Sequence, residues 1–307
     1  MTGQWQNLQE RGSPLALRTI RWIALRVGRP FARSLLPAIT LYFLLTAGHA
    51  RQASRQFLRR AGFERPHLGH VFRHFYTFAA VILDRVYFTR GDLQRFDLRL
   101  HIDPGVRDHL DGGHGALMLG AHFGSFDALR AVGLQYGDLR LRVLMHYDSG
   151  QLIVRLLDAL NPQMAQTVIP LGTPQTLLRT KEWLDDGGTV ALLGDRLLQT
   201  DDPSRRRTVN CHFMGHPTRM PTGPLHLAAR TRKPIILFFG IYRGGNRYDI
   251  HLEWLVGQDE VDRIDAPETV QRVIQRYADR LEAHARNAPY NWFNFYDYWR
   301  NDELDHD

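Results

Sequence analysis

The chain has 307 residues, of which 44% are hydrophobic, and its net charge is +7. This length and composition allow a substantial core, in one large domain or two small ones. The single cysteine, Cys211, excludes an intramolecular disulfide, and no spacing of cysteines and histidines resembles a zinc site. Nearly all of the positive charge is arginine, which favours acidic partners such as anionic lipid or an acidic carrier protein. Because the basic residues are scattered and carry no nucleic-acid-binding signature, we expect no nucleic-acid partner.

Residues 1–95 predict a mostly helical region that associates with a membrane. Arginines alternate with large apolar residues from residue 14 onward, and residues 35–47 then form an apolar run. This run is shorter than the roughly 20 residues that span a bilayer core, and the basic segment before it does not resemble a signal peptide. Interfacial insertion fits the pattern, and a helix pair packed on the protein's own core is the alternative. A second apolar stretch, Phe75–Phe88, predicts a buried helix.

From residue 96 to residue 307, short apolar runs alternate with helical patterns. This alternation predicts an α/β domain with a largely parallel central sheet flanked by helices. The predicted strands are Ala116–Leu119, Leu141–Met145, Thr167–Leu171, Thr189–Leu193, Pro234–Ile241 and Tyr248–Trp254. The predicted helices are Phe126–Gln135, Gln151–Leu160, Pro174–Asp186, Gly223–Arg232 and Pro267–Arg286. Ligands of such sheets bind beyond the carboxyl ends of the strands.

The end of the first predicted strand carries the clearest chemical signal. His122 follows the strand after small residues, and Asp127 stands five positions later, at the start of a predicted helix. About one such pair is expected by chance in a chain of this composition, so the spacing alone does not define a site. An imidazole whose Nδ1–H is held by a carboxylate keeps Nε2 free to take a proton from an alcohol or amine. We therefore expect His122 to be a general base that Asp127 orients.

Three blocks of sequence, in order, carry a family resemblance. The blocks are Leu119–Asp127, the residues 190–224 with their Gly-Asp, Phe-Met-Gly and Gly-Pro elements, and the terminal residues 281–297 with their Pro-Tyr-Asn-Trp element. Together they resemble the lysophospholipid acyltransferase superfamily, and more specifically the bacterial late acyltransferases of lipid A biosynthesis. The terminal Asn-Trp-Phe-Asn-Phe-Tyr-Asp segment looks more like a side branch associated with aryl-polyene and related lipid-pigment clusters.

The resemblance implies an acyltransferase that moves a fatty acyl group to a hydroxyl or amine of a lipid acceptor. The donor would be a thioester of acyl carrier protein or coenzyme A, which is a substrate, so no cofactor and no metal are expected. His122 and Asp127 would be the catalytic pair. Backbone amides near Gly124 and Ser125 are candidate donors to the oxyanion, because successive amides that enter a helix favour negative charge. The acceptor itself is the nucleophile, so Ser125 is interpreted as a small residue in a tight turn.

Two more residues complete the predicted substrate site. Arg179 lies on a predicted helix, where the family carries a functional arginine, although a solvated helix face is the simpler interpretation. Asp195, at the end of a predicted strand, would anchor Arg179 or another site arginine, or cap the following turn. The charged segment Asp201–Arg207 is either a solvated loop or a docking site for acidic acyl carrier protein.

The resemblance and the basic, apolar amino terminus together predict a protein at the cytoplasmic face of a bacterial inner membrane, in contact with an anionic surface. The acceptor stays open among glycerolipid, lipid A, amino-acid and polyene lipids. Two other functions are also open at this point. One is an esterase or thioesterase that passes the acyl group to water, and the other is a non-catalytic lipid-binding protein.

Overall fold

The computed structural model describes residues 22–135, 139–145, 167–197 and 207–299. Its main sheet has seven strands in the order β1-β9-β8-β2-β5-β3-β4. The strands of this sheet are β1 (Asp97–Ile102), β2 (Ala116–Gly120), β3 (Leu141–Met145), β4 (Val168–Pro170), β5 (Thr189–Leu193), β8 (Ile235–Gly244) and β9 (Arg247–Val256). A separate antiparallel hairpin consists of β6 (Thr208–Phe213) and β7 (His216–Pro221).

Helices flank this sheet and precede it in the chain. They are α1 (Arg29–Thr46), α2 (Gly48–Arg60), α3 (Leu68–Thr89), α4 (Val106–Asp111), α5 (Phe126–Gln135), α6 (Thr176–Asp185), α7 (Gly223–Thr231) and α8 (Pro267–Asn287). Residues 22–26 are also helical. The structure confirms the predicted α/β class, with a largely parallel sheet and a helical amino-terminal region. The predicted helix Gln151–Leu160 lies outside the described residues.

The direction of the strands decides where a site can form. Strands β8, β2, β5, β3 and β4 are mutually parallel, whereas β9 is antiparallel to β8, and β1 is parallel to β9. Strands β2 and β5 are neighbours, and Gly120 is paired with Leu193 at their ends. The ladder continues for one more step, because Gly194 N–H donates to Gly120 C=O over 3.0 Å. The residues that follow, from the two strands, therefore meet at the same edge of the sheet.

Strand β2 lies at the centre of the core. Its five residues are all buried, and Leu117, Met118 and Leu119 are at most 1% exposed. A parallel strand that is covered on both faces needs a continuous apolar run rather than an alternating one. Each such side chain contributes about 1.5–3 kcal/mol when it is removed from water. This burial makes β2 a rigid support for whatever its carboxyl end carries.

The amino-terminal helices are tied to the sheet by a buried charge network. Asp84 of α3 is fully buried and accepts hydrogen bonds from Arg29 Nε at 2.7 Å and Arg29 Nη2 at 2.8 Å. Tyr248 of β9 donates its hydroxyl to the same carboxylate at 2.9 Å, and Arg33 lies 3.7 Å away. Arg33 also donates to the hydroxyl of Tyr242 on β8 at 2.6 Å. Both arginines of α1 therefore face inward, and they fix α1 on α3 and the β8–β9 pair.

None of the described helices is, by itself, both long and apolar enough to cross the core of a bilayer. Helices α1 and α2 together meet the criterion of length and composition, but the chain bends by 97° between them.

Some strands were not predicted from the sequence. Strand β1 alternates between exposed and half-buried residues and lies at the edge of the sheet, so it lacks the apolar run by which the other strands were recognised. The hairpin of β6 and β7 is also polar and half-exposed. A short apolar run predicts a strand that is buried on both faces, and it misses strands that contact the core on one side.

Candidate active site

The ends of β2 and β5 bring His122 and Asp195 into contact. His122 Nδ1 lies 2.8 Å from Asp195 Oδ1. The Asp195 side chain is fully buried, whereas 31% of the His122 side chain is exposed. The pair therefore has a closed side, formed by the carboxylate, and an open side, formed by the imidazole.

Asp195 is held as a carboxylate. Burial alone would raise its pKa, but the adjacent His122 ring, the positive charge of Arg196 and a hydrogen bond from Asn294 outweigh burial and hold that pKa well below its usual range. An ionised carboxylate only accepts hydrogen bonds, so the proton of the pair resides on His122 Nδ1. Nε2 then carries the lone pair. No described residue makes a hydrogen bond to Nε2.

A chain of hydrogen bonds continues from Asp195 into the carboxy-terminal segment. Asn294 Nδ2 donates to Asp195 Oδ2 at 3.0 Å, and Arg196 Nε donates to Asn294 Oδ1 at 2.7 Å. Arg196 Nη2 also donates to the carbonyl of Phe293 at 3.1 Å. Asn294 is only 1% exposed, and both ends of its amide are hydrogen-bonded, to buried Asp195 and to half-buried Arg196. This arrangement fixes the carboxylate that holds His122.

The loop that carries His122 is held on two sides by backbone hydrogen bonds. The His122 carbonyl accepts from Phe293 N–H at 2.7 Å, and Gly124 N–H donates to the Asn291 carbonyl at 2.7 Å. Ser125 N–H donates to the Gly240 carbonyl of β8, also at 2.7 Å. Gly124 has a φ of +63°, and a Cβ there would lie 2.0 Å from the Gly240 oxygen. Only glycine fits that position without moving β8.

These hydrogen bonds correct the predicted oxyanion site. The amide hydrogens of Gly124 and Ser125 are both used by carbonyl oxygens of the protein, so they are not available to a substrate oxygen in this structure. Ser125 Oγ accepts from Ala128 N–H at 3.2 Å, which is the hydrogen bond of a helix cap at the start of α5. Ser125 is thus a buried structural residue, in agreement with its interpretation as part of a tight turn.

Asp127 lies in the first turn of α5, as predicted, but its partner is not the predicted one. Its carboxylate is buried and lies 2.7 Å from Arg85 Nε of α3, in an ion pair that connects α3 with the first turn of α5. A negative charge in the first turn also suits the dipole of the helix. The partner of His122 Nδ1 is Asp195 instead. In this structure, the carboxylate that orients His122 is therefore not Asp127 but Asp195, which is 73 residues further along the chain.

The remaining predicted residues are placed as follows. Arg179 is exposed on α6, and no ion pair or hydrogen bond between described residues joins its side chain to Asp195. The arginine near Asp195 is Arg196, through Asn294. Of the charged segment 201–207, only Arg207 is among the described residues. Surface grooves on α8 and on α2 do not include His122.

Sequence reasoning missed Asn294 and the role of Arg196. The signal was present in part, because Asn294 lies in the terminal aromatic segment and Arg196 follows Asp195 directly. The sequence did not indicate that this segment folds back to the ends of β2 and β5. Buried His74 of α3 helps to hold it there. Its Nε2 lies 2.8 Å from the Trp292 carbonyl oxygen, and its Nδ1 lies 2.9 Å from the hydroxyl of Ser54 in α2.

Comparison with known proteins identifies the family of the chain. The bacterial lipid A biosynthesis acyltransferase family matches residues 102–301 of the chain, from the end of β1 to beyond the terminal aromatic segment. A comparison with curated proteins finds no match. The matched region contains His122, Asp195, Arg196 and Asn294. The chain therefore belongs to the bacterial lipid A biosynthesis acyltransferase family, and it is an acyltransferase that acts on lipids.

Proposed function

We propose that the protein transfers a fatty acyl group from a thioester of acyl carrier protein or coenzyme A to a hydroxyl or amine of a membrane lipid. The observation that carries this proposal is the His122–Asp195 pair, with Nδ1 held by a buried carboxylate and an exposed ring face. His122 is the general base and Asp195 is the residue that orients it. General-base catalysis of this kind contributes about 10²–10⁴-fold to the rate.

In the proposed reaction, Nε2 of His122 takes the proton of the acceptor while the acceptor oxygen or nitrogen attacks the thioester carbonyl. The tetrahedral intermediate then expels the thiolate, and the imidazolium returns the proton to sulfur. The products are the acylated lipid and the free thiol, and His122 is neutral again. Asp195 stays ionised throughout and stabilises the imidazolium. The positive charge of Arg196 would favour the negative oxygen of the intermediate.

The pH dependence follows from the surroundings of His122. Burial and then the positive charge of Arg196 lower its pKa below 6.5, against the opposing effect of Asp195. Since the base must be neutral, kcat/KM falls as pH decreases through this lowered pKa, so the midpoint of the acidic limb lies below pH 6.5. Arg196→Gln removes the like charge and is expected to move the midpoint upward. A profile of kcat/KM from about pH 5 to 8 checks both statements. A wild-type midpoint above 6.5 would contradict them.

We further propose that α1 lies in the surface of an anionic membrane. Its outward face carries Phe31, Leu41, Tyr42 and Leu45, each between 49% and 69% exposed. No charged residue interrupts the helix after Arg33, and both of its arginines are turned inward to Asp84. The adjoining helix α2 contains four arginines and no acidic residue. An apolar face next to a basic one is typical of helices that insert at the headgroup boundary.

The cellular location follows from the donor. Because acyl thioester donors are cytoplasmic, we propose that the protein binds the cytoplasmic face of the bacterial inner membrane.

Vesicle binding tests this placement. The double variant Leu41→Glu/Leu45→Glu puts two charges on the apolar face and is expected to weaken binding to vesicles that contain anionic lipid by about tenfold or more. The matched control is Leu177→Glu/Leu178→Glu on α6, where both leucines are similarly exposed. Sedimentation with vesicles measures the bound fraction. Equal binding of the two double variants would contradict the proposal.

The activity itself is tested by the identity of the product. Purified protein is incubated with a labelled acyl thioester, with and without extracted bacterial membrane lipids, and the products are separated by mass. We expect an acylated lipid that forms with wild-type protein and not with His122→Ala, while the helical content of the variant is unchanged. Release of free fatty acid alone would favour hydrolysis by water. Wild-type turnover in the His122→Ala protein would overturn the assignment.

A further inference from the structure

A second cluster of titratable groups lies on β9 and α8, apart from the His122–Asp195 pair. His251 and Glu253 are two positions apart on β9, so their side chains share one face of the sheet. Helix α8 crosses this face and places Arg280 and His284, one turn apart, beside Glu253. One donor atom each of His251, Glu253 and His284 lies within 4.8 Å of the other two. In the described part of the chain, this is the group that brings three such donors together.

The hydrogen bonds of the cluster leave one ring nitrogen unmatched. Glu253 Oε1 accepts from His284 Nε2 at 2.7 Å, and Glu253 Oε2 accepts from Arg280 Nε at 2.7 Å. His251 Nε2 is buried, and no described residue makes a hydrogen bond to it. Buried ring nitrogens are rarely left without a partner, because the lost contact with water is not replaced. The unmatched nitrogen belongs to a ring that packs against His284, with ring centroids 4.8 Å apart.

We infer that His251, Glu253 and His284 form a binding site for a divalent transition-metal ion of the zinc class. Two imidazoles and one carboxylate are a donor set of known zinc sites, in which a fourth position is left to water. Bond lengths to zinc are about 2.0–2.2 Å, so the three donors must approach one another by rotation of their side chains. His284 Nε2 must present its lone pair in place of the hydrogen that it now donates. Arg280 then holds the second oxygen of Glu253 and orients the carboxylate.

The position of the cluster indicates a structural role. His284 packs on the ring of Phe239 in β8, with a centroid distance of 4.5 Å, and lies 6.5 Å from the ring of Phe123. Phe123 is the residue after His122. A bound ion would therefore clamp α8 to the sheet directly behind the loop that carries His122. It would contribute to stability without taking part in acyl transfer.

Metal binding by the full-length, untagged protein tests this inference. Protein treated with a chelator is dialysed against zinc, and bound zinc per chain is measured by elemental analysis. Thermal unfolding is then followed with and without zinc, and cobalt is used as a spectroscopic probe of four-coordinate geometry. We expect one zinc per chain, a higher unfolding temperature with zinc, and affinity weakened by about tenfold or more in His251→Ala and Glu253→Gln.

His101→Ala is the matched control. The ring of His101 stacks on His251 at a centroid distance of 4.5 Å, but it is not part of the three-residue group. This variant is expected to keep the zinc stoichiometry and the shift in unfolding temperature. If the wild-type protein binds no zinc, or if folded His251→Ala binds it as tightly as wild-type protein, the cluster is an ion-pair network alone and the inference is wrong. Circular dichroism establishes that each variant is folded.

Discussion

Asp195→Asn is expected to lower turnover by about 10²–10⁴-fold, close to the loss caused by removing the base itself. An asparagine at this position can donate its amide N–H to His122 Nδ1, which would move the ring proton to Nε2. The base would then have no lone pair toward the acceptor. The carboxylate is buried and accepts from both His122 and Asn294, so no neighbouring group replaces its charge. Steady-state rates with saturating acyl thioester measure the effect.

Asp127→Asn is the matched control for the Asp195→Asn measurement. Asp127 is paired with Arg85 and not with His122, so its substitution acts through the packing of α3 against α5. We expect Asp127→Asn to reduce the unfolding temperature and to change turnover far less than Asp195→Asn. If Asp127→Asn abolishes transfer in a folded protein while Asp195→Asn retains it, the assignment of the pair is reversed.

Asp84→Asn is expected to destabilise the protein by about 3–5 kcal/mol. Among the described residues, Asp84 is the only acidic partner of Arg29 and Arg33, and both of these arginines are largely buried. The side chain of Arg29 is 12% exposed and that of Arg33 is 16% exposed, so water solvates their positive charges poorly. The substitution keeps the shape of the side chain and leaves no cavity. Urea unfolding measures the free energy, and limited proteolysis is expected to show α1 released before the sheet unfolds.

Asp97→Asn is the matched control for this stability measurement. Its ion pair with Arg99 has both side chains about half exposed, and such surface pairs contribute little to stability because water screens them. We expect no measurable change in the urea midpoint for this variant. An equal midpoint for Asp84→Asn and wild-type protein would show that the buried network does not hold α1.

The central strands could be predicted from the sequence because they are buried on both faces. Residues 116–119 and 189–193 form apolar runs, and the structure places the buried strands β2 and β5 there. Residues 141–145 form β3, in which the apolar run is interrupted by the half-buried Arg142. Parallel strands covered by helices need such runs. Edge strand β1 was not predicted, because only every second residue contacts the core and the strand therefore has no continuous apolar run.

The pairing of His122 was not predictable in the same way. The spacing to Asp127 was visible in the sequence, whereas contact with Asp195 depends on the order of strands in the sheet. Once β2 and β5 are neighbours in the observed register, Gly120 pairs with Leu193, and positions 122 and 195 face each other two residues later. A sequence that gives the strands does not give their order, because the crossing helices permit several arrangements. Asn294 was missed for a related reason, since the return of the terminal segment depends on tertiary contacts.

The state of the His122 ring tests the central claim most directly. Nitrogen NMR of protein with labelled histidine distinguishes the two neutral tautomers at a pH above the pKa of the ring. We predict that His122 carries its proton on Nδ1 in the wild-type protein, and that this signal changes in Asp195→Asn but not in Asp127→Asn. A wild-type ring protonated on Nε2, or a signal that responds to Asp127→Asn alone, would contradict the account.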